Sequence, residues 1–234
     1  MGNDGWKRAP ADAHWQPRPA NGRFHPTPTM HRRTTLALLA LAGGPVALTS
    51  TRAQAVDLAG VRYPATVQLG GSTLQLNGAG IRYRFVVKVY TAALYLQARA
   101  ATPEQALAAT GPRRIQVHML RDIDANELGR LLTRGMQDNA PRGEFSKFIP
   151  GMLALAELFA ARKRLRTGEH FSIDFVPGTG TRVLVNGRPE SDLITEPEFF
   201  NALLRIWIGN KPADEGLKDA LLGRPQPPAT TGQN

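Results

Sequence analysis

A long apolar segment that carries a row of cations most constrains how this chain can fold. The segment runs from Leu76 to Gln97 and reads LNGAGIRYRFVVKVYTAALYLQ. Its first part, NGAG, predicts a glycine turn, and the residues that follow, up to Leu96, predict one long strand rich in β-branched and aromatic side chains. Side chains alternate between the two faces of a strand, so Arg82, Arg84 and Lys88 would share one face of a continuous strand. That face would need anions, water or a partner.

The beginning of the chain has the pattern of an export signal. Met30 is followed by HRR, by the apolar run TTLALLALAGGPVAL and by the A-x-A sequence AQA. This pattern predicts a signal peptide over residues 30–55, a mature chain that starts near Val56 and a periplasmic or otherwise exported protein. The Arg32-Arg33 pair resembles a twin-arginine signal. Residues 1–29 would then be an extension upstream of the true start, or else a disordered cytosolic tail before a membrane anchor.

Charge and cysteine content exclude several classes of function. The chain has a net charge of +10, but residues 1–55 contain seven Lys or Arg and two Asp, which leaves 22 cationic and 17 acidic residues, or +5. No Lys/Arg block with interleaved aromatics follows, so we expect no nucleic-acid partner. With no cysteine, the chain has no disulfides, thiolate catalysis or zinc–thiolate site. His118 and His170 are too far apart in sequence to predict a metal site, and we expect no cofactor. No apolar stretch after residue 55 is long enough to predict a membrane span.

Hydrophobic periodicity and capping residues predict strands and helices in alternating blocks. Glycine pairs and Asn-Gly mark tight turns between the strands. A disordered tail, 224–234, is predicted from its composition. The predicted strands are 61–69, 72–76, 81–96, 113–120, 169–176 and 181–186. The predicted helices are a short one behind Thr102-Pro103, one from Asp124 to about Asn139, one from about Phe145 to Leu165, one over 196–208 capped by Thr195, and one over 215–222 behind Asp214.

This block order predicts the fold class. Strands followed by helices, and then strands followed by helices again, argue against a doubly wound βαβ sheet. They favour an α+β domain in which helices pack on one side of a sheet. A ligand cleft would lie between the sheet and the helix layer.

The ordered combination of NGAGIR, KVYTAALYL, VNG and IWIGNKPADEGLKDALLG resembles the chalcone isomerase-like family over about residues 56–223. The resemblance implies an open-faced β-sandwich, in which an antiparallel sheet is covered on one side by a helix layer and a ligand is held between them. Plant members of the family cyclise a chalcone to a flavanone, and other members hold a fatty acid in the same cleft.

The resemblance also implies two ligand-binding residues. The cleft arginine of the family falls on Arg82, whose guanidinium can clamp a carboxylate or stabilise a phenolate. A threonine of the plant enzymes falls on Tyr90, where fatty-acid-binding relatives also have tyrosine, and its hydroxyl can give a second hydrogen bond. The tyrosine, asparagine and late threonine of the plant active site fall on Leu128, Gly135 and Ile206. These replacements remove polar groups while the arginine stays.

We therefore expect a non-catalytic binder of a fatty acid or similar amphipathic anion as the first hypothesis. An intramolecular lyase or isomerase that acts on a chalcone-like phenolic enone is the enzyme alternative, and a ligand-free interaction module is the third. No oligomeric state follows from the sequence. Arg84 and Lys88 fit a solvated strand face, and His118 and Arg121 fit structural roles as well as functional ones. Trp207 fits packing in the core.

Overall fold

A seven-stranded antiparallel sheet, two separate pairs of short strands, five α-helices and one 3-10 turn make up the part of the protein that the structure describes. The structure is a computed structural model, and it describes residues 54–141 and 143–227. The predicted signal peptide up to residue 53, the upstream extension and residues 228–234 of the predicted tail lie outside these ranges. None of the described helices is long and apolar enough to cross a membrane.

The large sheet has the strand order β11-β10-β9-β6-β5-β4-β3, and every neighbouring pair is antiparallel. Two further pairs, β1–β2 and β7–β8, form small separate ladders. The strands are β1 (Val56–Leu58), β2 (Val61–Tyr63), β3 (Thr66–Leu69), β4 (Ser72–Arg84), β5 (Val87–Leu96), β6 (Arg113–Met119), β7 (Ile123–Asp124), β8 (Arg164–Leu165), β9 (His170–Val176), β10 (Gly180–Val185) and β11 (Arg188–Pro189). The helices are α1 (Pro103–Leu107), α2 (Ala125–Asn139), α3 (Ile149–Ala161), α4 (Phe199–Ile208) and α5 (Glu215–Leu221).

Three of the helices begin where the sequence predicts a capping side chain. Thr102 accepts a hydrogen bond from a backbone N–H in the first turn of α1, and Asp124 and Asp214 do the same for α2 and α5. Each cap satisfies one of the unpaired N–H groups that a helix start leaves. The local sequence therefore predicts where these helices start.

The main core lies between the sheet and the helices, as the fold prediction requires. One face of β5 and β6 contributes Ala92, Leu94, Ile115 and Val117 to a cluster that also contains most of α4. The predicted α+β fold, with an antiparallel sheet and helices on one side, is confirmed. A smaller cluster lies on the opposite face, where the β1–β2 hairpin packs Tyr63 and its neighbours against β4 and β5. The N-terminal hairpin thus covers part of the face that the helices leave open.

The prediction of one continuous strand from Ile81 to Leu96 is wrong. The chain turns at Phe85 and Val86, because Arg84 is paired with Val87 across an antiparallel hairpin. The turn has neither glycine nor asparagine, so the usual hairpin signal is missing from the sequence. Lys88 is consequently paired with Tyr83 and does not share a face with the two arginines by strand alternation.

The predicted glycine turn at NGAG is also wrong, because these residues lie inside β4. Gly78 is needed there for close packing: a Cβ on it would lie 2.0 Å from the carbonyl oxygen of Ala220 in α5. Asn77 holds the same contact by donating to the carbonyl oxygens of Ala100 and Leu221 at 2.9 and 2.7 Å. The glycines therefore let a helix approach a strand rather than bend the chain.

Two predicted helix boundaries are corrected. The helix expected from Phe145 to Leu165 is a 3-10 turn over Phe145–Phe148 followed by α3, and its last residues belong instead to β8. The helix expected to begin after Thr195 begins at Phe199, and no side chain caps it.

Candidate functional site

A cavity of about 190 Å³ lies between the sheet and the helix layer. The sheet contributes Arg82, Val89, Tyr90 and Phe171, and α2 and α4 close the cavity from the other side. The remaining lining residues are Ile123, Leu128, Leu131, Leu132, Arg134, Gly135, Asp138, Ile206, Trp207, Lys211, Pro212 and Ala213. The cavity is therefore where the fold prediction expects a ligand.

Arg82 is the cationic group that β4 brings to this cavity. Its side chain is half-buried, and its Nε is buried without a hydrogen-bond partner. Its Cζ lies 5.7 Å from the centre of the Tyr90 ring, directly across the β4–β5 pair. No carboxylate in the described residues lies within 4 Å of it. A buried guanidinium N–H without an acceptor costs free energy unless an anion, an acceptor or water satisfies it.

Tyr90 supplies a second polar group beside this guanidinium. The residue is buried, and its hydroxyl oxygen accepts a hydrogen bond from Nε1 of Trp207 at 3.0 Å. Because an indole N–H is only a donor, the phenol proton stays available to a ligand acceptor. Burial raises the pKa of Tyr90, against the opposing effects of the Arg82 charge and the Trp207 hydrogen bond. The phenol is therefore a neutral donor at physiological pH.

Contacts from the C-terminal part of the domain hold β4 in place around Arg82. The side-chain amide of Gln226 accepts from the backbone N–H of Ile81 at 2.8 Å and donates to the carbonyl oxygen of the same residue at 2.5 Å. Asp214 accepts from the backbone N–H of Tyr83 at 3.0 Å. Both residues that flank Arg82 thus have fixed backbones. Residue 226 falls in the tail for which the composition predicts disorder, and these two hydrogen bonds join it to β4.

The three positions that depart from the plant pattern come together in the cavity. Leu128 and Gly135 lie on α2, Ile206 lies on α4, and all three line the same space as Arg82 and Tyr90. A Cβ on Gly135 would lie 2.9 Å from Cγ2 of Ile206, so the two helices are close at this point. Leucine, glycine and isoleucine present no hydroxyl or amide side-chain group here. The cavity wall is accordingly apolar at these three positions, while Arg134, Asp138 and Lys211 add charged groups elsewhere in its lining.

Other residues considered from the sequence lie elsewhere. Lys88 and Arg121 face a shallow surface groove that does not include the cavity residues. His118 lies on the sheet face opposite the helices, where its ring stacks on His170 at 4.6 Å and contacts Tyr63 edge-on at 5.3 Å. Burial, together with the neighbouring His170, lowers the pKa of His118 to about 4. This histidine is a neutral packing group there.

A larger groove, of about 670 Å³, lies between α2 and α3 but includes neither Arg82 nor Tyr90. The apolar side chains of α3 are not all covered: Phe159 is buried, whereas Ile149 and Leu153 are 47% and 59% exposed. Within residues 54–141 and 143–227, no group of three or more His, Asp or Glu side chains is arranged to hold a metal ion. The 190 Å³ cavity is thus the site where buried polar and apolar groups converge.

Two features of the site were not predicted from the sequence. Trp207 was assigned only to packing, yet it also orients the Tyr90 hydroxyl. The segment from Lys211 to Ala213 lines the cavity, although in the sequence it stands out only as part of the motif IWIGNKPADEGLKDALLG. That motif was the available signal, because it spans the connection between α4 and α5 that lines the cavity.

Comparisons with known proteins agree with this geometry. A family model described as chalcone isomerase-like matches residues 55–223. Among solved structures, a fatty-acid binding protein from Arabidopsis thaliana is similar, with a TM-score of 0.57 and 15% identity over 72% of this chain and 95% of that one. At this identity the likeness shows a shared fold. No curated protein matches the sequence.

Proposed function

Because this chain belongs to the chalcone isomerase-like family, we propose that its cavity binds a fatty acid or a similar amphipathic anion without chemically changing it. The observation that carries the proposal is the buried Nε of Arg82, which has no partner in the described structure and lies beside a Tyr90 phenol with a proton to donate. A carboxylate accepts from both groups at once. Such charge-assisted hydrogen bonds are stronger than neutral ones, particularly in a site shielded from water.

The walls of the cavity support an apolar tail on this anion. Leu128, Leu132, Phe171 and Ile206 surround the space with hydrocarbon, and each buried methylene of a ligand gains about 0.8 kcal/mol. The three positions that depart from the plant pattern have no hydroxyl or amide side chain. The cavity therefore lacks, at these positions, groups that would polarise an enone. The fatty-acid binding protein with the same fold adds support.

We further propose that the protein acts after export, as the pattern of residues 30–55 predicts. The protein that accumulates in cells should then begin near Val56. Intact-mass measurement of the purified protein and fractionation of the cells test this directly. A mass that retains residues 30–55, together with protein confined to the cytosol, would reject export while leaving the ligand proposal standing.

The ligand proposal is tested by identifying what the purified protein carries. Native mass spectrometry, followed by solvent extraction, should reveal an acyl carboxylate on the wild type and strongly reduced occupancy on Arg82→Ala. Tyr90→Phe should show a smaller loss, because it keeps the ring and removes only the phenol proton donor. Arg84→Ala is the matched control, since it removes an exposed arginine two residues along the same strand.

The outcomes separate the three hypotheses. Equal occupancy in Arg82→Ala and Arg84→Ala would remove the arginine from the site. A protein that carries no ligand and binds no added carboxylate, but accelerates cyclisation of a chalcone above its spontaneous rate, would favour the isomerase. A protein that does neither and forms a stable complex through the domain surface would favour an interaction module.

A further inference from the structure

The tip of the β4–β5 hairpin exposes an unusual amount of apolar surface. Phe85, Val86 and Val87 are 65%, 60% and 36% exposed, and they are adjacent in sequence. They project from the end of the sheet where β4 turns into β5. Contiguous apolar groups of this size at a protruding point are typical of a contact surface rather than of scattered surface residues.

The backbone at the tip shows that folding alone does not favour these residues. Phe85 adopts φ of 57°, in the left-handed region that bulky residues rarely occupy. A two-residue hairpin turn of this kind is normally made with glycine at the first position. A large apolar side chain is therefore held at a position where a smaller residue would give a more stable turn. That conflict between local preference and sequence is characteristic of functional positions.

Exposed cations flank the apolar tip. Arg84 and Lys88 flank it in sequence, both are exposed, and neither has a carboxylate within 4 Å in the described part of the chain. Arg121, which is also exposed and without such a carboxylate, faces the same shallow groove as Lys88. Asp122 lies in that groove as well, where its carboxylate already accepts two hydrogen bonds from Thr167. The tip thus combines a protruding aromatic and aliphatic wedge with exposed cations on both of its strands.

We propose that this hairpin tip binds the surface of an anionic phospholipid bilayer. Phe85 and Val86 enter the boundary between headgroups and acyl chains, and Arg84, Lys88 and Arg121 contact the lipid phosphates. Apolar burial and attraction to anionic lipids add together in such contacts. A second copy of the chain is a poorer occupant, because pairing two tips would bring two sets of unneutralised cations together.

The position of the tip relates it to the cavity. Arg82 and Val89, which line the cavity, lie in the same hairpin a few residues from Phe85. A bilayer at the tip is therefore close to the site proposed for an amphipathic anion. Membrane binding by the tip does not depend on ligand binding in the cavity, and it is measured without any acyl ligand. If either proposal fails its test, the other still stands.

The test is co-flotation with lipid vesicles of the protein purified in the form that accumulates in cells. The vesicles contain phosphatidylcholine alone or an equal mixture with phosphatidylglycerol. The wild type should float with the anionic vesicles and be released by high salt. The variant Phe85→Gly/Val86→Ser places the residues favoured in a type II′ turn at the tip, so it should fold at least as stably. It should lower the vesicle partition coefficient by roughly tenfold or more, because two side chains no longer enter the bilayer.

Matched variants distinguish the tip from general surface effects. Leu153→Ser removes an equally exposed apolar side chain from α3, and partitioning should be unchanged. In that helix Gly151 packs on Ile194, which bridges Thr181 at the opposite end of the sheet from the tip. Arg84→Glu/Lys88→Glu should abolish binding to anionic vesicles, whereas Arg188→Glu, on β11 at the far edge, should not.

Several results would overturn the proposal. One is a wild-type protein that does not float with anionic vesicles. Another is a Phe85→Gly/Val86→Ser variant that floats as well as the wild type. A third is a Leu153→Ser variant that loses as much flotation as the double tip variant. Size-exclusion chromatography without vesicles tests whether a second copy of the chain binds the tip instead. A wild type that is dimeric and does not float, together with a monomeric double tip variant, would assign the tip to self-association.

Discussion

The size of the cavity leads to a quantitative prediction about ligand length. The experiment varies the length of the ligand: saturated carboxylates from butanoate to hexadecanoate are titrated into the delipidated protein. The cavity volume is about 190 Å³. If one methylene takes about the volume of one liquid water, roughly 30 Å³, the cavity accommodates roughly six methylenes. Ligand pockets of drug-like size are larger, at about 300–1,000 Å³.

Affinity should rise with chain length and then stop rising. Each methylene that leaves water gains about 0.8 kcal/mol, which is roughly a fourfold change in Kd. Octanoate has four methylenes more than butanoate, so affinity should rise by roughly two-hundredfold between them and reach a plateau near octanoate. Beyond that length the chain passes the partly exposed Leu131 and reaches solvent, where further methylenes gain little.

Isothermal titration calorimetry measures both the slope and the plateau. Arg82→Ala should weaken all members of the series by a common factor of roughly tenfold to a hundredfold, the value of a hydrogen bond to a charged group, and leave the slope unchanged. Arg84→Ala should change neither. An unbroken fourfold gain up to hexadecanoate would refute the argument, because the bound chain would then need space that the cavity lacks. Affinity independent of length would place the carboxylates outside it.

Three further predictions concern packing and pH. Gly78→Ala, whose new Cβ would lie 2.0 Å from the carbonyl oxygen of Ala220, should lower the free energy of unfolding by at least about 2 kcal/mol in urea melts. Gly129→Ala in α2, whose Cβ meets only ordinary contacts near 3.5 Å, is its control and should stabilise by about 0.5–1 kcal/mol. Gly135→Ala would place its Cβ 2.9 Å from Cγ2 of Ile206, so this cavity residue must shift, and the chain-length plateau should move down by roughly one methylene in the same calorimetry. Burial lowers the pKa of His118 from 6.5 to about 4, so between these pH values the unfolded chain binds a proton more readily than the folded chain does. The urea midpoint should therefore fall as the pH drops from 6.5 to 4. The fall should be less steep in His118→Gln.

Local chemistry accounts for the elements that the sequence predicted well. The caps at Thr102, Asp124 and Asp214 depend on side chains that reach a backbone N–H three residues away, which is a relation within one turn of chain. The alternation of Ile115, Val117 and Met119 likewise predicts which face of β6 is buried. The hairpin at Phe85 was missed because its turn residues carry none of the usual local signal.

The residues of the candidate site were also predictable from the sequence only in part. The family resemblance nominated Arg82 and Tyr90, and the structure places both in one cavity, where their role in binding stays a prediction. The partner of the tyrosine could not be predicted, because Trp207 is 117 residues further along the chain and meets it only when α4 packs on the sheet. Gln226 contacts Ile81 across 145 residues for the same reason.

By itself, the sequence determined the α+β class, the order of the blocks, most helix starts and the family, because these depend on short-range periodicity, capping and ordered motifs. Only the tertiary structure decided that Gly78 is a packing surface for α5 and that the arginine side chain keeps a buried donor without a partner. It also decided that the apolar hairpin tip stays exposed. These features depend on which distant surfaces come within a few ångströms of each other, and that follows from close packing of the whole domain rather than from any local pattern.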